Sequence, residues 1–210
     1  MMKRIALAGA ALLTAGLASA DAQTASKPGS KVDAAVVDAY VKGMWKKVPA
    51  GWESRIVQDE TQKVCSEHRN NPPDAVFQQV LDREKATVVF PADGNVMGDW
   101  KAGEKIAQSG FGGRFNDKAG AVNGGNCYAC HQMAKEELSF GTLGPSLREY
   151  GKIRKFSAEE AKLVYARVYD SQSVQPCSMM PRFGYHKFLS EQQMKDVVAY
   201  LMSPDSPVNK

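Results

Sequence analysis

The sequence has 210 residues and a formal net charge of +4, with 43% hydrophobic and 24% charged residues. A chain of this length forms one domain or a small pair, and its composition is that of a globular protein. The charge excess is small and not clustered, so the sequence does not indicate nucleic-acid binding, which needs a concentrated basic face.

The first twenty residues have the three parts of a secretory signal. Lys3 and Arg4 precede an apolar or small run over residues 5–17, and Ala18-Ser19-Ala20 then forms an A-x-A cleavage site. The run is shorter than the ~20 residues of a membrane-spanning helix. We therefore predict cleavage after Ala20, export to the periplasm and no membrane span. Cleavage removes two basic residues and no acidic one, which lowers the formal net charge to +2.

Residues 21–95 are predicted to form a helical extension in front of the main domain. Apolar residues recur at helical spacing between Val32 and Met44, and two shorter, more polar segments follow. Pro72-Pro73 separates these two segments, and Asp74 can cap the helix that begins there. No motif in this region carries chemistry, so we expect the extension to pack against the rest of the chain.

Residues 96–210 are predicted to form an all-α domain. A helix is expected over residues 99–108, where Gly103 permits the close approach of a neighbouring element. Residues 111–126 are polar and rich in glycine, which indicates an irregular loop. No alternating pattern typical of a strand is present.

Two further helices are predicted from their starting residues. Ser157 with Glu160, and Ser190 with Gln193, have the spacing of capping boxes. Apolar residues recur at helical spacing after each of them. A long loop therefore connects the last two helices.

The segment Cys127-Tyr128-Ala129-Cys130-His131 is a C-x-x-C-H motif. Two thiols at this spacing attach a haem covalently, and the adjacent histidine becomes an axial ligand of its iron. A thioredoxin-like dithiol would need a surrounding βαβ pattern, and a zinc site would need a second close pair of ligands. The sequence has neither, so we predict one haem c on Cys127 and Cys130, with His131 bound to the iron.

The second iron ligand is expected in the loop before the last helix, at Met179-Met180-Pro181. A thioether is soft and neutral, so it favours ferrous iron more than a second imidazole would. Met180 is preferred to Met179 because the following proline stiffens the loop at that point. His186 is the alternative ligand from a different chemical class.

A Gly144-Pro145 turn follows the attachment motif. The Pro145 carbonyl could accept a hydrogen bond from Nδ1 of His131 and so fix the imidazole ring. The alternative is an ordinary turn without a role at the iron.

Cys65 and Cys177 remain once the haem has taken two of the four cysteines. One interpretation is a thiol-based catalyst that carries a persulfide. The other is a disulfide that ties the extension to the loop before Met180, which the oxidising periplasm favours. Such a bridge could also hold the Met180 loop against the iron.

The succession of these motifs resembles a class I cytochrome c domain and, more narrowly, the SoxX family. These are the monohaem subunits of SoxAX sulfur-oxidation complexes. The similarity extends over residues 96–208 and is most specific in GNCYACHQM, residues 125–133, and MPRFG, residues 180–184. It implies ligation by His131 and Met180, and a Gly144-Pro145 turn under the haem.

The resemblance also implies partners: a SoxA-type subunit in a heterodimer, a SoxYZ-type carrier in transient contact, and a soluble cytochrome that accepts electrons. Thiosulfate would be conjugated to a carrier cysteine by the partner, so this chain alone would not be catalytic. Wrapping of the extension around the partner is our hypothesis. Two rivals stay open: a free cytochrome that donates electrons to a terminal oxidase, and a haem enzyme with an open sixth iron position.

Overall fold

The computed structural model describes residues 31–48, 50, 52–114, 116–118 and 120–210, so the predicted signal peptide, residues 1–20, lies outside it. Within this described part every regular element is a helix, which confirms the all-α prediction. None of these helices is long and apolar enough to cross a membrane. The α-helices are α1 Ala34–Met44, α2 Glu60–Glu67, α3 Asp74–Lys85, α4 Trp100–Gln108, α5 Tyr150–Ile153, α6 Ala158–Tyr169 and α7 Glu191–Met202.

The last helix, α7, is the centre of the fold. It begins with the predicted capping box: the Ser190 hydroxyl accepts a hydrogen bond from the Gln193 backbone N–H, and the Gln193 side chain accepts one from the Ser190 backbone N–H. Eight residues of α7 are buried. At the start of α6 only half of the predicted box forms: Ser157 accepts from the Glu160 N–H at 3.1 Å. The Glu160 carboxylate pairs instead with Arg154, at 3.4 Å.

Helix α4 packs closely against α7, as the glycine at position 103 predicts. A Cβ on Gly103 would lie 2.0 Å from the Asp196 carbonyl oxygen of α7, so no larger residue fits this contact. The Asp196 side chain accepts a hydrogen bond from the backbone N–H of Asp99, the N-cap of α4, at 2.9 Å. The two helices thus form one wall of the core.

The predicted cap at Asp74 is wrong. Pro73 is the N-cap of α3, with an extended backbone and no side-chain cap, and Asp74 is the first helical residue. The rigid proline leads directly into the helix, so the carboxylate of Asp74 lies in the first turn. There its negative charge interacts favourably with the positive end of the helix dipole.

The extension packs only in part. Cys65 on α2 and Val80 on α3 are buried, but α1 has no buried residue. Before α1, the Val32 N–H donates to the carbonyl oxygen of Glu67, and Lys31 pairs with the Glu67 carboxylate at 2.9 Å. The expected packing against the rest of the chain therefore holds for α2 and α3 and not for α1. The boundary at residue 95 stays a prediction.

Candidate haem-binding site

The attachment motif forms a tight turn that brings its reactive groups together. Cys127–Ala129 is a single 3-10 turn, and the backbone N–H groups of Cys130 and His131 both donate to the Cys127 carbonyl oxygen. Both thiols are half-buried and unbridged. Burial raises the pKa of the Cys127 thiol to about 12, so this thiol stays protonated at neutral pH.

The imidazole of His131 is oriented by the turn that follows. Its Nδ1 lies 2.8 Å from the Pro145 carbonyl oxygen, the contact that the sequence suggested. Since a carbonyl oxygen can only accept, Nδ1 carries the proton and Nε2 keeps a free lone pair. The turn is itself fixed, because the Gly144 N–H donates to the Cys130 carbonyl oxygen at 2.9 Å. A Cβ on Gly144 would lie 2.2 Å from Cε1 of the ring, so glycine permits this close approach.

An apolar cavity lies next to the attachment turn. Cys127, His131 and Met180 all line it, and apolar side chains of α4, α6 and α7 complete the walls: Ala107, Val164, Val168, Val197 and Leu201. A thiol for attachment, an imidazole, a thioether and an apolar wall are the groups that hold a haem c, so these residues fit one.

The structure distinguishes among the three candidates for the second iron ligand. Met180 lines the cavity together with His131. Met179 is 72% exposed and His186 is also exposed, and neither side chain lines this cavity. Ligation itself stays a prediction. Of the three candidates, only Met180 lines the cavity that His131 also lines, as ligation requires.

The Met180 loop is held by hydrogen bonds to the Met180 backbone and by a bridge to the extension. The Ser171 hydroxyl donates to the Met180 carbonyl oxygen at 2.6 Å, and the Met180 N–H donates to the Ser178 hydroxyl at 3.2 Å. Cys65 on α2 and Cys177 form a disulfide, with their Cα atoms 5.2 Å apart. The bridge therefore joins the extension to the loop three residues before Met180.

A cluster of charges next to Met180 was not predicted from the sequence. The side chain of Arg182 is 5% exposed, and its guanidinium contacts the carboxylates of Asp59, Glu84 and Asp170. Burial alone would lower the pKa of Arg182, but the hydrogen bond to Asp170 and the three negative charges raise it. Arg182 therefore stays a cation, and it lies 3.6 Å from the centre of the Tyr185 ring.

Two buried tyrosines form a polar contact at the cavity wall. The hydroxyls of Tyr128 and Tyr200 are 2.7 Å apart, and Tyr128 also accepts the Ala134 N–H at 3.1 Å. Burial, and then the bond to Tyr128, raises the pKa of Tyr200. Both hydroxyls are thus satisfied inside an otherwise apolar region.

Comparisons with known proteins match the domain that contains this site. Residues 115–204 match the family model described as cytochrome c. A protein of Aquifex aeolicus (strain VF5), described as an uncharacterized lipoprotein, is 36% identical over 204 residues, which cover 96% of this chain and 97% of that protein. An alignment of this length includes α1, α2 and α3 as well as the matched domain.

Proposed function

We propose that this chain, whose residues 115–204 match the cytochrome c family, is the monohaem electron-transfer subunit of a periplasmic SoxAX-type complex. The family implies a covalently bound haem c, which supplies a one-electron iron couple when bound. A single C-x-x-C-H motif supports one haem. In this proposal the SoxA-type partner conjugates thiosulfate to a cysteine of a SoxYZ-type carrier. This chain passes the released electrons to a soluble cytochrome.

The observation that carries electron transfer is that His131 and Met180 line one apolar cavity. His131 would bind through Nε2, which the Nδ1 contact with Pro145 leaves free. With Met180 as the second ligand, both protein ligands of the iron would come from this chain. The apolar walls then exclude water, and no substrate reaches the metal. This favours a carrier of electrons over the rival haem enzyme, which needs an open position.

The ligand proposal is tested by the near-infrared sulfur-to-iron charge-transfer band of the oxidised protein. We expect the band in the native protein and its loss in Met180→Ala. Met179→Ala is the matched control: the same residue type, one position away and 72% exposed, should keep the band. A native protein without the band would refute Met180 ligation. Rapid peroxide or cyanide reaction would then support the enzyme alternative.

The heterodimer is supported by the exposed apolar residues of the extension. Along α1 and just after it, Val36, Tyr40, Met44 and Trp45 are 60%, 68%, 59% and 53% exposed. Because no residue of α1 is buried among the residues that the structure describes, its exposed apolar side can contact another protein. We propose that the SoxA-type subunit covers it.

Two exposed sites allow a matched test of this interface. Tyr40→Ser with Met44→Ser should weaken binding of a co-expressed SoxA-type subunit, while Leu138→Ser should not, although Leu138 is 86% exposed. Equal binding by both variants would refute the role of α1. If no stable complex forms even with the native chain, the alternative of a free cytochrome serving a terminal oxidase is favoured.

The location that we propose is the periplasm, with the leader removed. Cytochrome c domains are generally exported, but the relative from Aquifex aeolicus is described as a lipoprotein. In this location, osmotic shock should release the protein, and its mass should be that of a chain that begins at Asp21. A requirement for detergent would instead indicate a membrane anchor.

A further inference from the structure

The two anchors of the Met180 loop lie on either side of the candidate ligand. Cys177 precedes Met180 by three residues, and Arg182 follows it by two. Both anchors lead to α2: Cys177 is bridged to Cys65 within this helix, and Arg182 contacts Asp59, its N-cap. A single helix of the extension therefore holds both ends of the short segment that carries Met180.

The carboxylates around Arg182 come from separate parts of the chain. Asp59 and Glu84 belong to α2 and α3, before the residues that match the cytochrome c family, and Asp170 follows α6. Asp170 binds the guanidinium through both oxygens, each at 3.0 Å. A planar guanidinium with five N–H groups can join three carboxylates, which the ammonium of a lysine cannot do in the same geometry.

The carboxylates are themselves held in place. Glu84 is 3% exposed, and it accepts a hydrogen bond from Thr61 and pairs with Arg83 at 3.2 Å. The Thr87 hydroxyl donates to Asp170 at 3.2 Å. Because Glu84 and Asp170, two of the three carboxylates around the guanidinium, are fixed in this way, Arg182 has one well-defined position and cannot follow a moving loop.

We infer that α2 and α3 form a clamp that holds Met180 against the iron, with Arg182 as its positioning residue and the disulfide as its second anchor. This rests on the proposed ligation by Met180. A buried ion cluster need not add to folding stability, since desolvation of the charges opposes their attraction. Its effect here is to restrict where the loop can lie, so its loss should make Met180 easier to displace.

Asp59→Asn tests the clamp with little risk to folding. Asp59 Oδ1 caps α2 by accepting the Gln62 N–H at 2.8 Å, while its Oδ2 contacts Arg182. Asparagine is an equally good N-cap, so the variant keeps the helix and loses the charge opposite Arg182. Asp33→Asn is the matched control, because Asp33 is also an N-cap, accepting the Ala35 N–H at 2.7 Å, and is exposed.

The measurement is the affinity of the oxidised protein for imidazole, which binds the iron only when the loop ligand leaves. We expect Asp59→Asn to raise this affinity roughly tenfold, as loss of a charge-assisted hydrogen bond predicts, and Asp33→Asn to leave it unchanged. Arg182→Lys should raise it further. Cys65→Ser with Cys177→Ser should change it in the same direction as Asp59→Asn.

The outcomes separate the clamp from other roles. A purely electrostatic role for Asp59 would raise the reduction potential on loss of its negative charge without changing imidazole affinity, and this result would overturn the inference. A change in unfolding temperature with unchanged imidazole affinity would also overturn it. If the native protein lacks the sulfur-to-iron band, the proposed ligation fails. If the band is present but all variants bind imidazole like the native protein, only the clamp fails.

Discussion

Replacing Gly144 with alanine should displace His131 without straining the backbone. Gly144 is not among the residues with positive φ, so alanine can adopt its conformation. The added Cβ would nevertheless lie 2.2, 2.6 and 2.7 Å from Cε1, Nδ1 and Nε2 of His131. All three distances are far shorter than a van der Waals contact. Either the imidazole or the turn that carries Pro145 must therefore move.

The expected loss of stability combines two effects. An overpacked methyl group destabilises a protein by about 1–3 kcal/mol, and loss of the Nδ1 contact with Pro145 adds about 1 kcal/mol. Urea unfolding of Gly144→Ala should therefore show a free energy of unfolding about 2–4 kcal/mol below that of the native protein. The absorption spectrum of the haem should change as well, because the proximal ring turns away from its position.

A second glycine provides the control for this experiment. A Cβ added to Gly43 on α1 would have no atom within 4 Å. Gly43→Ala should therefore leave the spectrum unchanged and stabilise the protein by no more than about 1 kcal/mol. If Gly144→Ala unfolds at the native urea concentration and keeps the native spectrum, the close packing of Gly144 on the proximal ring is refuted.

Three other predictions concern the cysteines and the buried tyrosines. Thiol titration of the unfolded, unreduced holoprotein should find no reactive thiol, and two after reduction; two before reduction would refute the disulfide. Tyr128→Phe should lower the free energy of unfolding more than Tyr200→Phe does, because only Tyr128→Phe leaves the Ala134 N–H without the Tyr128 hydroxyl. The difference between the two variants should be about 1–3 kcal/mol. Burial raises the pKa of Tyr165 to about 12, so its contribution to stability is complete below about pH 10 and is lost as pH rises through about 12. Urea unfolding across this range should show a smaller pH dependence for Tyr165→Phe.

Local patterns predicted the attachment turn and the contact between His131 and Pro145 because these residues are close together in sequence. The attachment motif spans five residues, and Pro145 lies 14 residues after His131. The helices α4 and α7 have apolar residues at helical spacing and polar N-caps, which are signals contained within one element. Even the preference for Met180 over Met179 rested on an adjacent proline.

The Arg182 cluster could not be predicted in this way. Arg182 lies 123 residues from Asp59 and 98 from Glu84. Charged residues are seldom fully buried, so none of these positions differs in pattern from a solvated surface residue. The signal that was available was the cysteine pairing, because a bridge between Cys65 and Cys177 already requires α2 to lie beside the Met180 loop.

The exposure of α1 could not be predicted from the sequence either. Its apolar residues recur at helical spacing, and periodicity of this kind predicts a face that is covered without indicating by what. The expectation was a contact within the chain, whereas Tyr40 is 68% exposed and α1 buries nothing. An apolar face that the chain's own described residues leave open is a reason to look for a second protein.

These observations divide the extension into two parts with different roles. Helices α2 and α3 supply Asp59, Cys65 and Glu84 to the Met180 loop, although the cytochrome c family match begins only at residue 115. Deleting the whole extension would therefore remove the proposed clamp and the proposed partner surface together, and loss of the complex would have two explanations. Substitutions confined to α1 keep the clamp intact. A loss of partner affinity that leaves the sulfur-to-iron band and imidazole affinity unchanged would assign docking to α1 alone.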